Sequence, residues 1–96
     1  MRVIARKPLV LFSSEHPDAK AGLEAWYHEV KAAAWRSSAD IKAHYRSASI
    51  SSSRVVFNIC GNKYRLVAQI NYSAQIVYIR FIGTHKEYGR TAVASV

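Results

Sequence analysis

Arg54-Val-Val-Phe-Asn-Ile-Cys60, Gly61-Asn62 and Lys63-Tyr-Arg-Leu-Val-Ala-Gln-Ile70 together decide the fold. Apolar and polar residues alternate with period two on both sides of a Gly-Asn pair, the pattern of a β-hairpin. Glycine at the first central position suits a two-residue turn with positive φ there. Taking that turn literally sets Ile59 opposite Tyr64, Phe57 opposite Leu66 and Val55 opposite Ala68. One face is then wholly apolar, and a slip of one residue would expose it to water.

Working outward, Gln75–Ile82 reads as a third strand, joined through a turn at Asn71-Tyr72-Ser73-Ala74. A four-residue turn pairs Ile70 with Gln75, Ala68 with Val77, Leu66 with Ile79 and Tyr64 with Phe81. Upstream, Arg46–Ser53 is serine-rich and reads as a loop. Ser37 or Ser38 offers an N-cap for a short helix reaching about Tyr45, with Asp40 in its first turn. Asp18–Ala34 is the clearest helix, because Leu23, Trp26, Tyr27 and Val30 fall at i, i+3, i+4 and i+7. Pro8 opens a shorter helix carrying Leu9 and Phe12, which stops before His16-Pro17. Arg2–Ala5 is a first strand, and the stretch from Gly83 to Val96 is a loop or a short helix. The expected class is α+β: an N-terminal strand and two to three helices packed on a mostly antiparallel sheet of three to four strands.

Size and composition set the boundaries. The chain has 96 residues, half of them hydrophobic, which suits one domain over 1–96 with one modest core. No apolar run approaches the ~18 residues of a membrane span, and no secretory signal opens the chain. Cys60 is the single cysteine, so there is neither a disulfide framework nor a cysteine zinc site. A cytoplasmic protein with no membrane association is expected. Fourteen basic residues against six acidic ones leave a net charge of +8, a bias that fits a nucleic-acid phosphate backbone. A basic face also serves solubility, so charge alone does not assign function.

The hairpin register sharpens the assignment. On the polar face it sets Asn58, Arg65 and Arg80 in one row, with Cys60, Lys63 and Ile82 in the next. Like charges directly opposite on neighbouring strands repel, unless an anion sits between them. Thr84, His85, Lys86, Glu87 and Tyr88 follow the third strand at the same end. Lys63, Arg65, Arg80, His85 and Tyr88 therefore gather as candidate catalytic residues. Arg54, Asn58, Asn62 and Lys86 are candidate RNA contacts, with Arg54 about 13 Å along the strand at ~3.3 Å per residue. His16, His28 and His44 read as surface or capping residues, and Trp26, Tyr27 and Trp35 as packing residues. No metal-ligand spacing and no phosphate-binding glycine loop are present, so no cofactor is expected.

Such a cluster suits RNA cleavage by attack of the ribose 2′-OH on the adjacent phosphate. The arginine fork holds two phosphate oxygens at once. His85 is the group nearby whose ordinary pKa lies near neutrality, which makes it the first choice for acid or base. Tyr88 or Lys63 would supply the other function, each needing a lowered pKa, and surrounding positive charge pushes that way.

At these residues the sequence resembles the HigB-type toxins of bacterial toxin–antitoxin modules, within the RelE superfamily. The matching blocks are Val55-Val56-Phe57-Asn58-Ile59, Gly61-Asn62-Lys63-Tyr64-Arg65-Leu66-Val67, Ile76-Val77-Tyr78-Ile79-Arg80-Phe81 and Thr84-His85-Lys86-Glu87-Tyr88. Ala25-Trp26-Tyr27 and Ala39-Asp40-Ile41-Lys42 look similar too. The resemblance implies a small RelE-like domain that cuts mRNA in the ribosomal A site without a metal. It implies silencing by a HigA-like helix-turn-helix antitoxin, with DNA reached only indirectly through that complex. Relatives commonly carry Asp after the His-x-x-Tyr tyrosine, where this chain has Gly89, and that puts the strength of its activity in question. Two other functions compete with cleavage: a non-cleaving basic RNA- or ribosome-binding inhibitor, and a basic face that only docks an acidic antitoxin segment.

Overall fold

The computed structural model describes residues 1–51, 53–90 and 96. Five strands and four helices follow in the order β1 (Arg2–Ile4), α1 (Lys7–Glu15), α2 (Lys20–Ala32), α3 (Ser38–His44), β2 (Ser49–Ser51), β3 (Arg54–Ile59), β4 (Tyr64–Asn71), β5 (Ile76–Thr84) and α4 (His85–Gly89). The sheet order is β1-β5-β4-β3-β2. β1 runs parallel to β5, and the other pairs are antiparallel. This is the expected α+β class with a wider sheet, because Ser49–Ser51 pairs with β3 as an edge strand and is not a loop. All three of its residues are exposed, so no buried alternation marks them as a strand.

α2 is shorter than its periodic pattern. Pro17–Ala19 forms a 3₁₀ turn ahead of it, and Ala33 is already extended. Its stripe still packs as the spacing dictates: Leu23, Trp26 and Val30 are buried, with Tyr27 at the margin. Trp26 meets Phe57 edge-on at 5.3 Å between ring centres. Trp35 stacks on the same Phe57 at 6.1 Å. Burying side chains of this size contributes roughly 1.5–3 kcal/mol each. α2 also approaches the hairpin closely at Gly22, where an added Cβ would lie 2.9 Å from Cys60 Sγ. A larger residue there would force the Cys60 and Ile59 side chains to shift.

The β3–β4 register is the expected one: Ile59 pairs with Tyr64, Asn58 with Arg65, Phe57 with Leu66 and Val55 with Ala68. Gly61 has φ +66, and the Lys63 N–H closes the turn onto the Cys60 carbonyl at 3.3 Å. The β4–β5 register differs from expectation in two ways. Asn71 stays in the ladder opposite Ile76, so Ile70 pairs with Val77 and Ala68 with Ile79. Its side-chain oxygen accepts the Ala74 N–H at 3.0 Å, moving the turn to Tyr72–Gln75, with Gln75 at φ 58. A bulge then intervenes, since Val67 pairs with Phe81 while its neighbour Ala68 pairs with Ile79, and Arg80 is skipped. One extra residue exchanges the faces of the rest of a strand. Ile82 therefore joins the core side and pairs with Leu66, whereas Phe81 pairs with Val67 on the outer face.

Candidate active site

The bulge rearranges the polar row. Arg65 faces Gly83, not Arg80. Arg80 is displaced toward Gln69, whose side-chain oxygen accepts from it at 3.1 and 2.7 Å, and it lies over the Tyr78 ring at 5.3 Å. Gln69 is four residues from Arg65 on the same strand, about 13 Å at ~3.3 Å per residue. The expected Arg65–Arg80 pair is thereby corrected: the two arginines do not share a row. Arg54 pairs with Gln69, so Arg54 and Arg80 flank one residue at the far end of this face. Arg54 also donates to the Val96 carbonyl at 3.0 and 2.7 Å and to Ser53 Oγ at 2.7 Å.

At the Gly61 end the expected residues do converge. Arg65 is only 8% exposed, unusual for an arginine on an outer sheet face. Its guanidinium donates to the Asn62 carbonyl at 3.1 Å and to the Asn62 side-chain oxygen at 3.0 Å. It lies 5.7 Å from the centre of the half-buried Tyr88 ring. Asn62 is thus an internal partner of Arg65. Asn58 sits opposite Arg65 and donates weakly to the Ser47 carbonyl at 3.5 Å.

α4 carries His85, Lys86 and Tyr88 to this place, and its start is locally determined. Thr84 is the N-cap, accepting the Glu87 N–H at 3.1 Å, while the Glu87 carboxylate accepts the Thr84 N–H at 2.8 Å. This capping box holds Glu87 ionised, its pKa lowered first by the backbone hydrogen bond from Thr84. The Thr-x-x-Glu spacing that forms it is legible in the sequence. The helix is tied to the sheet where the His85 N–H donates to the Lys63 carbonyl at 3.1 Å. His85 and Lys86 are exposed. His85 and Tyr88 stand at i and i+3, a spacing that puts both on one side of a helical turn. Gly83, opposite Arg65, has no room for a side chain: a Cβ there would lie 2.7 Å from the Phe81 ring and 3.2 Å from Glu87 Oε1. A Cβ at Gly89 would meet nothing within 4 Å.

Lys63 is placed at the site but not in the state expected of it. Its ammonium is ion-paired with Asp18, which raises its pKa. The expected lowering by neighbouring positive charge is overturned, because a carboxylate in contact outweighs more distant cations. Asp18 Oδ1 also accepts from the Tyr64 hydroxyl at 2.6 Å. The Asp18 pKa is lowered, first by Lys63 and then by Tyr64. Nothing in the sequence marks Asp18, which stands 45 residues from Lys63. Among the described residues no cluster of three or more His, Cys, Asp or Glu side chains is placed to hold a metal ion. His16, at the end of α1, stacks on Phe12 at 4.3 Å, and His44 on Tyr45 at 4.4 Å, ring contacts beyond the surface or capping roles expected of them. Trp26 and Trp35 are core residues.

In chemical terms, the site offers a buried guanidinium, a lysine kept charged, a histidine and a phenol at one end of an open sheet face, with two more arginines about 13 Å farther along. Comparison with known proteins gives the family. Residues 19–91 match the model of a family described as HigB_toxin, RelE-like toxic component of a toxin-antitoxin system. The chain is 31% identical over 91 residues to an mRNA interferase toxin HigB of Escherichia coli (strain K12), covering 92% of this chain and 88% of the relative. The same identity and coverage hold for proteins named mRNA interferase HigB in Escherichia coli O157:H7 and Shigella flexneri.

Proposed function

The chain belongs to the HigB family of RelE-like toxins, and we propose that it works as a single-domain mRNA interferase that cuts message in the ribosomal A site and so stops translation. The observation that carries the reading is the junction of α4 with β4. The backbone bond from His85 to Lys63 and the Arg65–Tyr88 contact support it, because they bring a histidine and a phenol to the end of the sheet that carries a buried guanidinium.

In the proposed reaction the ribose 2′-OH attacks the neighbouring phosphorus, the P–O5′ bond breaks, and a 2′,3′-cyclic phosphate and a 5′-hydroxyl form. His85 and Tyr88 divide the two proton transfers, one taking the 2′-OH proton and the other protonating the departing oxygen. Arg65, already oriented by Asn62, meets the charge that develops on the phosphorane. Lys63, held charged by Asp18, adds to that field as a cation and is not the base. Lys86, Asn58, Arg54 and Arg80 track the RNA backbone across the face.

The family description names a toxin–antitoxin system, so a cognate antitoxin restrains the chain. We propose a HigA-like helix-turn-helix protein for that role, with operator DNA reached only through the complex. None of the described helices is long and apolar enough to cross a membrane, and action on translating ribosomes places the proposed site of work in the cytoplasm.

Primer extension on a translated message after brief induction tests the reading. The native chain is expected to leave codon-phased cuts that vanish in His85→Ala. Growth arrest without cuts would instead make the chain a non-cleaving inhibitor.

A further inference from the structure

The tip of the β3–β4 hairpin carries much of the proposed site. Asn62 orients Arg65 from there, and the Lys63 carbonyl receives the first amide of α4. Besides a long bond from the Cys60 thiol to the Asp18 carbonyl at 3.6 Å, two contacts tie this tip to the helical layer. One is the close approach of Cys60 to Gly22. The other is Asp18, in the turn between α1 and α2, whose two carboxylate oxygens are shared between the Lys63 ammonium and the Tyr64 hydroxyl. Tyr64 is buried, so its hydroxyl meets Asp18 from a ring with no freedom to turn away. Asp18 itself is anchored in the Pro17–Ala19 turn by Ala19, which is fully buried.

We propose that Asp18 is a positioning residue of the site: its carboxylate holds Lys63 and Tyr64, and through them the hairpin tip and the start of α4. It touches neither substrate nor reacting atoms. It acts by fixing the Lys63 backbone against which His85 docks, and by keeping the Lys63 ammonium at the edge of the phosphate path. The inference rests on the functional reading above but reaches a residue on the opposite layer of the fold. The device suits an open sheet face. With no walls to confine the catalytic side chains, their precision has to come from behind.

The test compares wild type with Asp18→Asn and Asp18→Glu, using single-turnover cleavage on programmed ribosomes together with hydrogen exchange at the His85 amide. Asp18→Asn is expected to slow the cleavage step about tenfold or more, the scale of loss that misplaced catalytic groups bring. Half-saturation is expected to shift much less than the rate. The His85 amide is expected to lose protection, and Asp18→Glu to recover most of both. Should Asp18→Asn fail to fold, Tyr64→Phe keeps the ring in the core and deletes only the hydroxyl, and it is expected to show the same two changes in smaller measure. Wild-type rate with full His85 protection in the folded variants would overturn the proposal. A wild-type chain that cuts nothing would overturn the functional reading, and His85 protection alone would then decide whether Asp18 holds α4.

Discussion

The guanidinium of Arg65 and the ring of Tyr88 lie 5.7 Å apart, and each is held by a different local device. Asn62 grips the arginine through its backbone carbonyl and its side chain. The Thr84–Glu87 capping box starts the helix that presents the tyrosine. The bulge at Arg80 is what lets them meet, because it puts the small Gly83, not a second arginine, opposite Arg65.

Arg65→Lys keeps the charge and loses the fork. A lysine cannot bond both Asn62 oxygens and a phosphate in one plane. Losing charge-assisted bonds of about 1.5–3 kcal/mol is expected to slow single-turnover cleavage by roughly ten- to a hundredfold. Rapid-quench cleavage assays check this.

Arg80→Ala should separate from Arg65→Lys in kind. Arg80 lies with Gln69 and Arg54, far from α4. Its loss is expected to weaken RNA binding and to flatten the salt dependence of affinity by about one phosphate contact. The cleavage step at saturation should change little. A salt series of binding isotherms beside saturating single turnovers tells the two apart.

Thr84→Ala removes the side-chain half of the capping box, at a cost of about 1 kcal/mol. Cleavage should fall further than stability, because α4 carries both His85 and Tyr88. The Glu87 half is pH-dependent. Its pKa is lowered on folding, so its contribution is present above the unfolded value of about 4.3 and is lost as pH falls through the folded one. Protection of the Thr84 amide, followed by hydrogen exchange, should decline over that acid range in wild type. In Glu87→Gln it should be flat.

Gly89→Ala tests how far its last residue limits α4. A Cβ there meets open space, and Gly89 is outside the positive-φ region, so the alanine brings no strain. As the last residue of α4 it should add about 0.5 kcal/mol of stability and raise the melting temperature by roughly 2–4 °C, read by thermal denaturation.

The β3–β4 hairpin was legible because two signals agreed: a glycine at the turn position that needs positive φ, and alternation that leaves one face apolar. The β4–β5 pairing was not. Asn71 closes the second turn with its side chain while its backbone stays in the ladder, and alternation assumes no bulge. The inserted Arg80 therefore moved one expected catalytic residue away and carried Ile82 and Phe81 to exchanged faces. Ser49–Ser51 escaped notice because an exposed edge strand carries no apolar period. Hairpin register and chain proximity were enough to expect Lys63, Arg65, His85 and Tyr88 at one end of the sheet, where the structure brings them. Asp18, which pairs with Lys63 and raises its pKa, is brought there by tertiary packing alone.

The measurement that bears most directly on the central claim replaces one nucleotide. A message carrying a single 2′-deoxyribose at the cut position is presented on programmed ribosomes beside its all-ribose counterpart. The account predicts cleavage of the ribose message to a 2′,3′-cyclic phosphate and no cleavage of the deoxy message, with binding unchanged. Equal cutting of both would contradict 2′-OH attack and the roles given to His85, Tyr88 and Arg65.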